Sequence, residues 1–215
     1  MSIRCRSLLP GLVVALVVAV PSARADGGPY VEITPFGGYR MGGSFDTVET
    51  ETDRSRSVDL EDGGSWGIDL GLYRDGESFY ELLFSTQDSQ FDSSDPGLAA
   101  VDVKTEYYHV GGTLLFADED WMVPWFSFTA GATRFSPDGN YDSETKFSIS
   151  AGGGLRLPFT DNFAASLGVR GYLTFVDSDS DIFCVSGNDD AGCLVRTSGS
   201  TIFQAEALAG LTFRF

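Results

Sequence analysis

The sequence predicts an all-β protein, an eight-stranded antiparallel up-and-down transmembrane β-barrel with short periplasmic turns and long acidic extracellular loops. Three observations predict it. Eight segments alternate apolar and polar residues with period two, and no helical period appears after residue 25. The connections between those segments alternate between short and long, which is the pattern of turns on one side of a membrane and loops on the other. The polar faces are rich in Gly, Ser and Thr, with little bulk to fill the dry core that a soluble barrel or sandwich would need.

The chain opens with "MSIRCRSLLPGLVVALVVAVPSARA": Arg4 and Arg6, then an apolar stretch from about Leu8 to Val20, then Ala23 and Ala25 at signal-peptidase spacing. This reads as a secretory signal over residues 1–25. Pro10 interrupts the apolar run, which falls short of the length a spanning helix needs. Cys5 precedes the cleavage point and marks no lipoprotein attachment site.

The mature part, residues 26–215, reads as one domain, because no Pro-rich or Ser-rich linker divides it. Removing the signal takes away three arginines, leaving 11 basic residues against 31 acidic ones, a net charge of −20. Such a chain does not bind nucleic acid through its phosphates.

The first strand, "VEITPFGGYRM", places Ile33, Gly37, Tyr39 and Met41 on one face, although Pro35 argues against a central strand of a flat sheet. "GSWGIDLGLY" puts Trp66, Ile68, Leu70 and Leu72 opposite Gly67, Asp69, Gly71 and Tyr73. "FYELLFS" puts Tyr80, Leu82 and Phe84 opposite Glu81, Leu83 and Ser85. "YYHVGGTLLF" sets Tyr108, Val110, Leu114 and Phe116 against Tyr107, His109, Gly111 and Thr113. "PWFSFTAGAT" gives Phe126, Phe128, Ala130 and Ala132. "FSISAGGGLRLPF" gives Phe147, Ile149, Leu155 and Leu157 against Ser148, Ser150 and Arg156. "NFAASLGVRGYLTF" gives Phe163, Leu167, Val169 and Phe175 against Ser166, Gly168, Arg170 and Tyr172. The last strand, "AEALAGLTFRF", sets Ala205, Ala207, Ala209, Leu211, Phe213 and Phe215 against Glu206, Leu208, Gly210, Thr212 and Arg214.

"RDGE", "ADEDW" and "FTDN" are tight polar turns. Residues 46–63, 85–104, 136–145 and 176–200 are long, polar, acidic connections. Aromatics gather near the ends of the apolar faces, among them Tyr80, Phe84, Tyr108, Phe147, Phe163, Phe175 and Phe203, as girdles at the two bilayer interfaces do. Strands of about 9–11 residues suit the span.

In these features the chain resembles the small eight-stranded outer-membrane barrels of Gram-negative bacteria, and is similar to the outer-membrane-protein-A-type membrane domain and opacity-like surface proteins. The resemblance implies export through the Sec signal, residence in the outer membrane among its lipid and lipopolysaccharide, and assembly by the barrel-assembly machinery. In that family the terminal aromatic strand is the assembly signal, and "ALAGLTFRF" matches it through Leu211, Phe213 and Phe215. The family implies a place rather than a task.

Sorted by parity, the inward positions carry Glu32, Asp69, Glu81 and Glu206 against Arg40, Arg156, Arg170 and Arg214, a neutral set in an acidic chain. The surplus negative charge therefore belongs to the loops. Closure of the barrel sets the first strand antiparallel to the last. One register then pairs Glu32 with Arg214 and Arg40 with Glu206 at once. Asp69 and Glu81 are expected to form ion pairs across the lumen with Arg156 and Arg170. An eight-stranded interior is just wide enough for its own side chains, so the network reads first as a plug and second as a gate. The inward glycines leave some room for water.

Cys184 and Cys193 survive cleavage, and a secreted pair so close in sequence reads as a disulfide. A metal site is disfavoured, since one His and no further Cys remain. "DSDSD", from Asp177 to Asp181, begins like a calcium loop but lacks its later Gly and Glu, so it reads as a solvated acidic segment. Loose association of divalent cations is expected between the acidic loops and lipopolysaccharide phosphates. Some family barrels are lipid A deacylases that use a Ser and a His. Here His109 stands near Tyr107 and Thr113 with no Ser two residues along, and reads as a hydrogen-bonded lumen residue. No catalytic, cofactor-binding or metal-ligating residue is assigned. The expectation is a monomer with a structural or surface-interaction role through its acidic loops; a narrow channel or carrier for small solutes comes second and a lipid-modifying enzyme third.

Overall fold

The computed structural model describes residues 30–49, 54–73, 77–92, 101–116, 121–138, 142–176, 181–184, 193–196 and 201–215. The signal segment and most of "DSDSD" lie outside the described residues.

Among the described residues twelve strands follow one another: β1 Val31–Gly42, β2 Ser44–Glu49, β3 Arg54–Leu60, β4 Gly63–Tyr73, β5 Ser78–Asp92, β6 Val101–Leu115, β7 Val123–Pro137, β8 Glu144–Thr160, β9 Phe163–Phe175, β10 Asp181–Cys184, β11 Cys193–Arg196 and β12 Thr201–Arg214. Eight of them close a ring in the order β1-β4-β5-β6-β7-β8-β9-β12 and back to β1, every pair antiparallel. This is the predicted eight-stranded barrel, and each of its strands contains the alternating segment read from the sequence, but for the end residues Phe116, Asn162 and Phe215.

Two stretches expected as open loops contain hairpins instead. β2 and β3 pair along residues 44–59, and β10 pairs with β11 in a separate two-stranded ladder. Seven of the eight barrel strands are also longer than 9–11 residues, β4 alone having 11, and they reach 15 in β5, β6 and β7 and 17 in β8. The excess lies on the loop side, so the wall continues beyond the stretch that the apolar belt covers. Gly42 and Gly43 adopt positive φ of 83° and 112° where the chain bends from β1 into β2. A side chain would be strained in that conformation.

Pro35 sits inside β1, which is a full member of the wall. It stands opposite Ile68 of β4, while the ladder to β12 passes from Ile33–Phe213 to Phe36–Gly210. A proline has no N–H to give, and the interruption of one ladder accommodates it.

The faces obey the alternation. Trp66, Leu72, Tyr80, Leu82, Val110, Phe128, Leu167, Val169 and Phe203 are each half exposed or more. A continuous belt of this kind has no place in water and suits a bilayer. Rings meet along its loop-side edge, Trp66 with Phe84 and Phe84 with Tyr108, and along its turn-side edge, Phe159 with Phe163 and Phe163 with Phe213.

The interior corrects the expectation of little bulk. Phe36, Leu83, Tyr107 and Tyr172 form one buried cluster, and Tyr73, Phe79, Leu115 and Trp125 form a second toward the turns. Three of the inward glycines are seats for these rings rather than gaps: Phe36 lies on Gly67, Trp125 on Gly168 and Phe79 on Gly71. At the loop-side end, Leu60, Val103, Phe135, Val176 and Ile202 are buried.

Candidate functional site: the packed lumen

Alternation turns every second side chain inward, and the low dielectric of a filled barrel then requires each charge among them to find a partner. Three tiers result.

In the loop-side tier, Arg40 and Glu206 stand directly opposite each other across the β1–β12 seam. Arg40 Nη2 donates to Glu206 Oε1 at 3.1 Å, with both side chains fully buried. Ser85 Oγ accepts from Arg40 and donates to the same carboxylate oxygen at 3.3 Å. Tyr172 donates to Glu206 Oε2 at 2.6 Å, and Tyr107 to Gln204 Oε1 at 2.6 Å. The two tyrosine rings stack at 4.1 Å, and the Arg40 guanidinium lies 4.8 and 5.0 Å from their centroids. Two rings, a guanidinium, a carboxylate and an amide thus lie across the lumen.

In the middle tier, Arg170 Nη2 donates to Glu81 Oε1 at 2.7 Å and lies 3.8 Å from Asp69 Oδ2. Thr113 donates to Glu81 Oε2 at 2.5 Å. Arg170 Nη1 reaches Ser150, whose hydroxyl is 2.6 Å from that of Thr129. His109 closes the chain, with Nδ1 2.9 Å from Thr129 Oγ1 and Nε2 2.7 Å from Ser148 Oγ. His109 is a hydrogen-bonded lumen residue, but its partners are Thr129 and Ser148, not Thr113; Tyr107 only meets the ring edge-on. The Ser148–His109 contact has the spacing of a nucleophile and a base. Ser148 is nevertheless fully buried, and Nδ1 faces a hydroxyl where a catalytic dyad is usually oriented by a carboxylate.

In the turn-side tier, Arg156 grips Glu32 with both ends of its fork, Nη2 to Oε1 at 2.6 Å and Nη1 to Oε2 at 3.0 Å. Tyr73 completes the triangle, donating to Glu32 Oε2 at 2.9 Å and accepting from Arg156 at 2.7 Å. Arg214 stands opposite Glu32 in the seam register yet approaches it only to 3.8 Å, and lies over the rings of Tyr30 and Tyr73.

The structure therefore brings all eight predicted charged residues into the lumen, with one correction of partners. Arg156 was expected to meet Asp69 or Glu81 and instead takes Glu32, which displaces Arg214 to a looser contact. Parity tells which wall a charge faces, but not its height along the axis, which strand tilt and stagger determine. Sequence reasoning placed Tyr73, Tyr107 and Tyr172 inward without assigning them a role. It missed Ser85, Gln204, Phe36, Phe79 and Trp125 as members of the site; inward parity was the available signal.

A cavity of about 40 Å³ lies between the middle and turn-side tiers, lined among others by Asp69, Trp125, Arg156 and Arg170. That is room for a few water molecules. Among the described residues no group of three His, Cys, Asp or Glu side chains could hold a metal ion. Cys184 and Cys193 stand opposite each other in the β10–β11 ladder. On the outer rim, Glu61, Asp62, Asp88, Asp102 and Asp138 line an open cleft of about 430 Å³, with Lys104 as the one cation among the described residues that line it.

The family model described as outer membrane protein beta-barrel domain matches residues 11–210. Among solved structures, the chain is similar to the outer membrane protein OprG from Pseudomonas aeruginosa, with TM-score 0.56 at 10% identity over 88% of this chain and 96% of that one. Neisserial surface protein A gives 0.53 at 13% identity, covering 87% and 97%. The outer membrane protein AlkL gives 0.51 at 11% identity, covering 91% and 95%. At such identities the likeness is one of fold. No curated protein matches the chain by sequence.

Proposed function

Because this chain belongs to the outer membrane protein β-barrel domain family, we propose that it is a sealed, non-enzymatic barrel of the outer membrane whose role is surface interaction through its acidic loop side. The observation that carries this reading is the loop-side tier: Arg40, Glu206, Tyr107 and Tyr172, all essentially inaccessible, lie across the lumen. A solute pathway would need that tier to part, and each member is held by at least one of the others.

The acidic rim supports the second half of the reading. Five carboxylates around one lysine attract cationic partners, or divalent ions that bridge to lipopolysaccharide phosphates. In the same reading residues 1–25 are a Sec signal removed before Asp26, and Leu211, Phe213 and Phe215 are the segment read by the barrel-assembly machinery. A Cys184–Cys193 disulfide staples the β10–β11 hairpin, and the protein is a monomer. Burial of Ser148 argues against acyl-transfer chemistry at His109, since no substrate reaches it.

Single-channel recording on refolded protein in a planar bilayer, with Arg170→Ala and Glu206→Ala alongside, tests the seal. A silent bilayer from demonstrably folded protein supports it. Stable conductance steps in the unmodified protein, growing in the variants, would replace the plug by a gate and make a narrow solute channel the better reading.

A further inference from the structure

The outward face of the wall is uneven where glycine replaces a large residue. Gly171 is covered by its own chain, since a Cβ there would meet the Phe203 ring at 3.2 Å. Gly112 is not covered. It lies between Tyr80 of β5 and Phe128 of β7, its direct neighbours in register, yet the nearest atom to a Cβ at Gly112 is the main-chain oxygen of Phe79, 3.4 Å away.

The result is a notch of about 430 Å³ with Ser78 at its turn-side end, walled by Tyr80, Leu114 and Phe128 and floored by the backbone. The three walls are each about half exposed and belong to the apolar belt, so the notch is continuous with the lipid-facing surface. It starts at the first residue of β5 and ends near the last residue of β6, beside the turn joining them. In bacterial outer-membrane barrels that end faces the periplasm, in the leaflet made of phospholipid; this placement rests on the membrane reading above.

We propose that the notch over Gly112 is a lipid site that holds one acyl chain of a periplasmic-leaflet phospholipid. Apolar surface gains nothing by being removed from lipid tails, so retention here comes from packing: a methylene chain laid between Tyr80 and Phe128 contacts rings on both sides and the main chain beneath. A second barrel would be a poor occupant, because its own convex belt cannot enter a slot one residue wide.

The test is native mass spectrometry of the full protein extracted from outer membranes in mild detergent. The expected result is one phospholipid retained per chain, lost in Gly112→Phe and kept in Gly37→Phe. Gly37 is an outward glycine of β1, where a Cβ has only Ser65 O near it, at 3.9 Å. Heat-dependent gel mobility reports folding, and Gly112→Leu serves if the phenylalanine variant fails to fold. No retained lipid, or retention undiminished in the folded Gly112 variants, overturns the proposal. Retained lipid A that Gly112→Phe removes would overturn the periplasmic placement, and a dimer lost in Gly112→Phe would make a second copy the occupant.

Discussion

Arg40 and Glu206 face each other across the seam that joins the first barrel strand to the last, 3.1 Å apart and fully buried. Breaking such a pair from one side strands the other charge, at a cost of about 3–5 kcal/mol. Arg40→Met should therefore lower the unfolding midpoint in denaturant strongly. Arg40→Met with Glu206→Leu should cost clearly less than the sum of the single variants, the remainder reflecting the unpaired Tyr172 hydroxyl. Additive losses would mean that the two residues are not energetically coupled.

Gly71 tests whether the inward glycines are seats or gaps. A Cβ there has side-chain atoms as its three nearest neighbours, two of the Phe79 ring at 2.9 and 3.2 Å and Glu32 Cβ at 3.4 Å. Overpacking of this kind costs about 1–3 kcal/mol. Gly71→Ala should destabilise by that order, and Phe79→Leu should cost less in the Gly71→Ala background than alone. A neutral Gly71→Ala would mean that the interior is loosely filled.

His109 joins two hydroxyls from different strands, Thr129 and Ser148. His109→Leu leaves both buried hydroxyls short of a partner, at about 1–3 kcal/mol each before relaxation. His109→Gln, which retains a donor and an acceptor, should recover part of the loss in the same denaturation assay. If the histidine were instead a catalytic base, the glutamine variant would keep stability and lose an acyl-hydrolase activity that the unmodified protein displays.

Much of the architecture was legible because a barrel wall has two faces and a period of two. Trp66 and Asp69 go to opposite sides for that reason alone, and the seam register followed from two opposite-charge pairs sharing one sum of residue numbers. The partner of Arg156 was not legible, because Glu32 and Arg156 meet through tilt and stagger that pairwise alternation does not encode. Nor was the β2–β3 hairpin, where "TVETETDRSRSVDLED" is polar on both faces and carries no apolar period to read. The filled lumen was half legible: Tyr107 and Tyr172 had the right parity, but which rings would lie over glycine depends on cross-strand neighbours.

Cys184 stands opposite Cys193 in an antiparallel ladder, a placement that brings two Cα atoms within the range a disulfide spans. Protein purified without reductant should take up no thiol-specific alkylating agent after denaturation and two equivalents after reduction. Two equivalents without reduction would remove the disulfide.

Tyr107 and Tyr172 stack at 4.1 Å beneath the Arg40 guanidinium, so ring area, more than charge, closes this part of the lumen. Tyr172→Phe removes only the hydroxyl that donates to Glu206, a charge-assisted bond worth about 1.5–3 kcal/mol, and should destabilise the barrel while leaving planar bilayers silent. Tyr107→Ala with Tyr172→Ala removes both rings, and should produce stable conductance steps if the variant folds. Conductance in Tyr172→Phe alone would mean that the hydrogen bond holds the seal and the rings only follow it. Silence in the double alanine variant would move the seal to the turn-side cluster, where Tyr73, Phe79, Leu115 and Trp125 are packed together.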